Sequence, residues 1–395
     1  MNANVMRNQK GFYHIAVLLI IVIVAAVGFV GYWVFKASGS KNSGSSQSSE
    51  VCQKPKIATS PIKIEAIHHI VPLGRMGSEH ITPTDHLYII NNESPDPKGF
   101  AVYSIADGII TSIEHFTGPP PISNPTLPRR DDYRLYFKYS CRMEGYYIHI
   151  KKLTDNLLAV IGDHGNISVN IAVKAGEIVG YTKTGIDFAL MDNDVTLPGF
   201  VNPNGYKYEP WKIHTVDPFD YFTPNLRDEW LTKNVRQVAP LGGKIDYDAD
   251  GRLVGNWFKP GTKNQQGDYS VDGELAFAHN HIDPSFIEIS IGNFNSQSAQ
   301  FFFKGNAPDP KDVTEQTGIV KYELQKFGYT DPKTEQWMNE DFINVGSKPK
   351  IFDNTVQGTV LVQVLSNRQI KFEAFASKIA NQVSGFTNNA QIYER

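Results

Sequence analysis

Tyr133-Arg134-Leu135-Tyr136-Phe137-Lys138-Tyr139 changes side-chain character at almost every step, and Tyr147-Ile148-His149-Ile150-Lys151 does the same shortly afterwards. A period of two sends successive side chains to opposite faces of an extended chain, so both runs predict half-buried β-strands. Working outward, short apolar runs at 62–70, 86–90, 100–116, 167–173 and 177–181 are divided by turn signals. Asp107-Gly108, set between Ala106 and Ile109-Ile110, has the chemistry of a tight turn or bulge. Five prolines within 118–128 mark a surface loop. A helical or irregular connector is expected over 224–236. Strands then resume at 243–247, 252–258, 273–278, 286–291, 300–304, 318–324, 358–365 and 369–374, with one helix near 334–343. Eight strands are enough for a barrel or a sandwich.

The chain has 395 residues, 41% hydrophobic and 12% aromatic, which suits two globular bodies and excludes collagen-like or fully disordered readings. Lys and Arg total 38 against 41 Asp and Glu, so no global field recruits nucleic acid. Residues 15–35 (IAVLLIIVIVAAVGFVGYWVF) carry no charge and, as a helix, would match a hydrocarbon core of roughly 30 Å. This predicts a single-pass membrane protein, anchored through 15–35, with its C-terminal body extracytoplasmic. Seven serines in 37–50 form a flexible tether. Cys52 and Cys141 either pair, as an oxidising space would allow, or remain two thiols; they are too few for a cysteine zinc site. The expected division is 1–36 cytoplasmic N-terminus and transmembrane helix, 37–60 linker, 61–223 first β domain, 224–237 connector and 238–395 second β domain.

Four pieces occur in a telling order: Ile105-Ala106-Asp107-Gly108-Ile109-Ile110-Thr111-Ser112-Ile113, Tyr147-Ile148-His149, Val173-Lys174-Ala175-Gly176-Glu177-Ile178-Val179-Gly180-Tyr181, and Val216-Asp217-Pro218-Phe219-Asp220-Tyr221-Phe222. Together they resemble the lysostaphin/LytM-type zinc metallopeptidase domain, the duplicated hybrid motif that cleaves peptidoglycan cross-bridges, over residues 62–222. The resemblance implies a hybrid-motif β-sheet domain; with the apolar span before it and the strand pattern after it, the expected fold is mainly β: an N-terminal transmembrane helix, that domain, then a second β-rich barrel or sandwich. The resemblance also implies a zinc site. In that family a His, an Asp four residues later and the second His of H-x-H hold the metal, while the first His of that pair and the His of Y-x-H act in catalysis.

His149 takes the Y-x-H position and is the catalytic candidate; His80, His86 and Asp187 are the metal candidates. Three positions depart from the pattern. If His86 is a ligand, its Asp partner is Ile90; if His80 is, Thr84 holds the matching position and Asp85 comes one residue late; and Gly185 stands where the second catalytic imidazole belongs. Loss of that imidazole removes general acid–base help of roughly 10²–10⁴-fold. The resulting expectation is a metallopeptidase-like protein that binds or organises peptidoglycan or another envelope component without efficient hydrolysis. The alternatives are an active zinc endopeptidase with a variant ligand set, and a surface-appendage protein suggested by Gly11-Phe12 before the apolar run.

Two further motifs compete for attention. Asp246-x-Asp248-x-Asp250-Gly251 opens like a calcium loop, although Trp257 occupies the twelfth position and a hairpin turn fits equally. Gly255-Asn256-Trp257 resembles the lipocalin G-x-W. Alternation sends His68 and His69 to opposite faces of a strand.

Overall fold

The computed structural model describes residues 52–77, 80–118, 130–262, 271–305, 307–338 and 343–395. Residues from Cys52 to Arg395 form one compact unit. Its first half contains β1 (Ile67–Val71), β2 (Leu87–Asn91), β3 (Phe100–Tyr103), β4 (Gly108–Gly118), β5 (Arg130–Lys138), β6 (Met143–Ile150), β7 (Lys152–Leu153), β8 (Asn166–Val173), β9 (Ile178–Thr182) and β10 (Gly185–Asp192). Seven of these make an antiparallel sheet in the order β1-β2-β10-β6-β5-β4-β8, and β3-β9-β7 make a smaller one. The alternation at 133–139 becomes β5, where Tyr133, Leu135 and Phe137 enter the main core while Arg134 and Tyr136 face the other way. Trp230, on the helix Pro224–Leu231, is fully buried against Phe188, Phe219 and Phe222.

The second half runs β11 (Gly255–Phe258), β12 (Glu274–His279), β13 (Ile287–Phe294), β14 (Gln297–Phe303), β15 (Ile319–Thr330), β16 (Trp337–Met338), β17 (Lys348–Leu365), β18 (Gln369–Ala376) and β19 (Gln391–Glu394). Apart from the two-residue β16, each strand pairs with its neighbour in sequence; β14 pairs with β15, and Phe258 of β11 pairs with Glu394 of β19. The sheet therefore closes into an eight-stranded meander barrel, which leaves no open edge. Trp257, Phe277, Phe301, Tyr322, Phe372 and Tyr393 pack its interior. Arg395 covers the Trp257 ring at 4.0 Å and donates to the carbonyls of Val254, Ala249 and Arg252 at 2.7, 2.6 and 2.5 Å. Gly255 has φ +117, and a Cβ there would lie 2.6 Å from the Arg395 guanidinium, so the cover needs glycine at this point.

Three expectations are corrected here. Among the described residues no helix is long and apolar enough to cross a membrane. The longer of their two α-helices has 8 residues, whereas a span needs about 20. The expected span at 15–35 lies outside the described residues; in place of the expected transmembrane helix with two β bodies, the described residues form a mainly β chain built on a sheet and a closed barrel. The helix expected near 334–343 is instead met by the short strand Trp337–Met338 where described. The other α-helix, Asp155–Ile161, was not anticipated; it buries Leu157 and Ile161.

Cys52 and Cys141 form a disulfide, which decides the pairing left open above. It ties the entering segment to the sheet, and Lys54 meets buried Asp192 close by at 2.5 Å.

Candidate active site

Asp187, midway along β10, stands opposite Tyr88 of β2 and Ile148 of β6. Alternation sends Ile186, Phe188 and Leu190 into the core and leaves Asp187, Ala189 and Met191 on the other face, beside Tyr146 and Ile148. That face is where the candidate residues gather.

His149 reaches it through a break in register. β5 and β6 pair at Leu135↔Tyr147 and next at Tyr133↔Ile150, so β6 carries one extra residue. His149 sits in this bulge at φ +69, a conformation uncommon for histidine, and the bulge re-aims its ring. Its Nδ1 lies 2.8 Å from Asp132 Oδ2 and its Nε2 3.4 Å from Asp187 Oδ2. Burial works against the charged ring, but the two carboxylates outweigh it and push His149 up to about 9. It is therefore protonated at neutral pH, suited to donating a proton rather than removing one.

His86, buried just before β2, has Nδ1 3.1 Å from Asp85 Oδ1 and 3.2 Å from the Tyr146 hydroxyl. Asp85 in turn accepts from Tyr146 at 3.0 Å and from the Trp211 indole at 2.6 Å. Burial would raise Asp85, but these donors, with His86 and Lys212, hold it well below the usual carboxylate range. The far nitrogen of His86, Nε2, lies 3.4 Å from Asp187 Oδ2 and is buried with no hydrogen-bond partner among the described residues. His80 is exposed at the rim, its ring edge-on to His86 at 5.4 Å. Desolvation by its surroundings and the neighbouring His86 lower it, so it is neutral at pH 7. Asp187 is lowered despite its burial, because His86 and His149 flank it.

The four sequence candidates thus converge on one patch. Even so, among the described residues no three His, Cys, Asp or Glu side chains close into a metal-holding group. Ile90 and Gly185, the two positions without a functional group, pair across β2 and β10. Asp132, Tyr146 and Trp211 were not singled out from sequence. Asp132 shares the alternation of Arg134 and Tyr136, which placed it on the same face, but only the fold shows that this face lies beside Asp187.

The other motifs disperse. Asp246 accepts from Lys244 and the Gly199 amide, Asp248 from the Asn256 amide, and Asp250 from Arg368, so the three carboxylates do not share an ion. His68 and His69, expected on opposite faces, meet at 2.7 Å between their Nδ1 atoms because the register slips between Ile67 and His69. In the closed barrel, Trp257 of the G-x-W tripeptide is part of the packed interior.

No known sequence family matches the chain, and no curated protein does. A solved structure titled as that of a zinc containing peptidase from Vibrio cholerae is similar over part of the chain, with 12% identity and a TM-score of 0.22. The match covers 34% of this chain and 38% of that one, so the chain spans well under half of that protein's length. It is a partial likeness.

Proposed function

We propose that the patch around Asp187 is a zinc-dependent peptide-holding site with little or no hydrolytic power, acting on cell-envelope peptides in an oxidising compartment. The observation that carries this reading is the carboxylate of Asp187 lying 3.4 Å from the unpartnered Nε2 of His86 and equally far from His149 Nε2. The His86–Asp187 separation is long for a hydrogen bond, and about 3.4 Å is what two bonds of ~2.0–2.1 Å at a tetrahedral zinc would leave between their donor atoms. His86 and Asp187 would hold the metal, and His80, its ring 5.4 Å from that of His86, is the candidate third ligand. Bound zinc supplies Lewis-acid polarisation of a peptide carbonyl. Asp85 and Tyr146 fix the His86 ring from behind, as outer partners of metal-bound imidazoles do. Glycine at 185 supports weak hydrolysis, since no second imidazole is there to move protons. The Cys52–Cys141 disulfide supports the oxidising compartment.

A second reading, an active zinc endopeptidase, is favoured by one observation: the strained His149 is kept charged beside Asp187 and could act as a lone general acid. Elemental analysis and incubation with purified murein separate the readings. The proposal expects stoichiometric zinc that is lost in the H86A/D187N variant, and protein retained on murein without released peptide. Absence of zinc overturns the metal; released peptide that disappears with H149A establishes the peptidase.

A further inference from the structure

Next to Asp187, one buried carboxylate gathers three cations. Asp132 is 2% exposed and accepts from His149 at 2.8 Å, Lys151 at 3.2 Å and Arg130 Nε at 3.1 Å. These partners are about two-fifths open to solvent: 41%, 40% and 43% for His149, Lys151 and Arg130. Burial raises the Asp132 carboxyl, but its three partners more than offset this and hold it below the usual range, so it stays charged at neutral pH. The neighbouring acids are engaged elsewhere: Glu114 pairs with Arg134 at 3.4 Å, and Asp131 with His115 at 2.7 Å. Arg130 and Lys151 therefore share a single internal counter-charge while facing solvent. The Arg130 guanidinium carbon also lies 4.0 Å from the centre of the Phe116 ring, a contact that restrains the side chain before binding. Since Arg130 uses Nε on Asp132, its two terminal nitrogens can form a fork for a carboxylate.

We propose that Arg130 and Lys151, organised by Asp132, form a carboxylate-recognising subsite, so that the cleft selects peptides bearing a free carboxylate beside the segment held at Asp187. This rests on the peptide-holding reading and specifies its ligand. The geometry supports it independently of zinc. Lys151 and His149 reach Asp132 Oδ2 from β6 and its end, Arg130 reaches Oδ1 from the start of β5, and His149 bridges the subsite to Asp187.

The test uses an N-acetylated pentapeptide of glycine and alanine, as the free acid and as the C-terminal amide, titrated calorimetrically into the zinc-loaded protein. The acid is expected to bind about tenfold more tightly than the amide, the worth of one good charge-assisted pair. In the R130Q/K151Q variant that ratio should fall toward one. Both side chains are surface groups, and an unchanged melting temperature verifies that the variant is folded. Equal binding of acid and amide by the parent protein, or a preference that survives in the variant, overturns the subsite and leaves the peptide-holding reading standing. Binding of neither peptide overturns both.

Discussion

The α-carbon of Gly185 lies so close to Ile89 that a Cβ on it would sit 1.9 Å from the Ile89 carbonyl oxygen. The two residues belong to paired strands, so this gap is set by the β2–β10 ladder and cannot widen without unpairing it. Gly185 also has φ +129, a region that residues with side chains rarely enter. The site is thus built around glycine here; it does not simply lack a histidine.

It follows that G185H will not place an imidazole beside Asp187 without disrupting the strands. Even G185A should destabilise the fold by about 3 kcal/mol, combining backbone strain with the overlap on Ile89. Urea unfolding measures this. An alanine variant with an unchanged midpoint would show that the strands have slack the structure does not suggest.

Arg395 satisfies three carbonyls and lies over Trp257, next to buried Asp248 at 3.7 Å. R395A would take one donor from each of those carbonyls and remove the cation beside buried Asp248, which keeps the Asn256 amide, so a loss of about 3–5 kcal/mol is expected. R395K should recover only part, because one ammonium cannot imitate a planar fork that reaches three oxygens. Guanidinium unfolding of the three proteins should rank them parent, lysine, alanine.

Asp217 gives a pH signature. Burial, with nearby Asp220, pushes its carboxyl up to about 6, against amide bonds from Phe219 and Gly242 at 2.9 and 3.0 Å. Between the unfolded value of about 4 and about 6, the folded state keeps a proton that the unfolded chain has lost. Its contribution is therefore complete below pH 4 and disappears as pH rises through 6, amounting to up to about 3 kcal/mol. D217N should flatten this part of the stability–pH curve. The slope is the readout, since the amide also gives up an acceptor and so changes absolute stability. An identical slope in both proteins would place the titration elsewhere.

How much of this could be read from the residues follows from what alternation can encode. The period at 133–139 gave β5 and its two faces, while the segment from 224, left open between helix and irregular chain, forms the helix that carries Trp230. Alternation does not say which strands become neighbours. Barrel and sandwich stayed open because the closing contact, Phe258 with Glu394, joins positions remote in sequence. Nor does it register a bulge. His149 by simple parity would turn away from Asp132, and one inserted residue reverses that. The carboxylates at 246–250 show the opposite failure: a spacing that suggested one ion, drawn apart in the fold by Lys244, Asn256 and Arg368.

The seam of the barrel bears on how the chain matures. β11 is made early and finds its second neighbour only when the strand ending at Glu394 is complete, more than a hundred residues later. Until then a nascent cylinder is a curled ribbon with two sticky margins, vulnerable to pairing with another polypeptide. Shortening the chain by its last few residues would therefore cost more than its final strand: it would hold every molecule in that half-rolled stage.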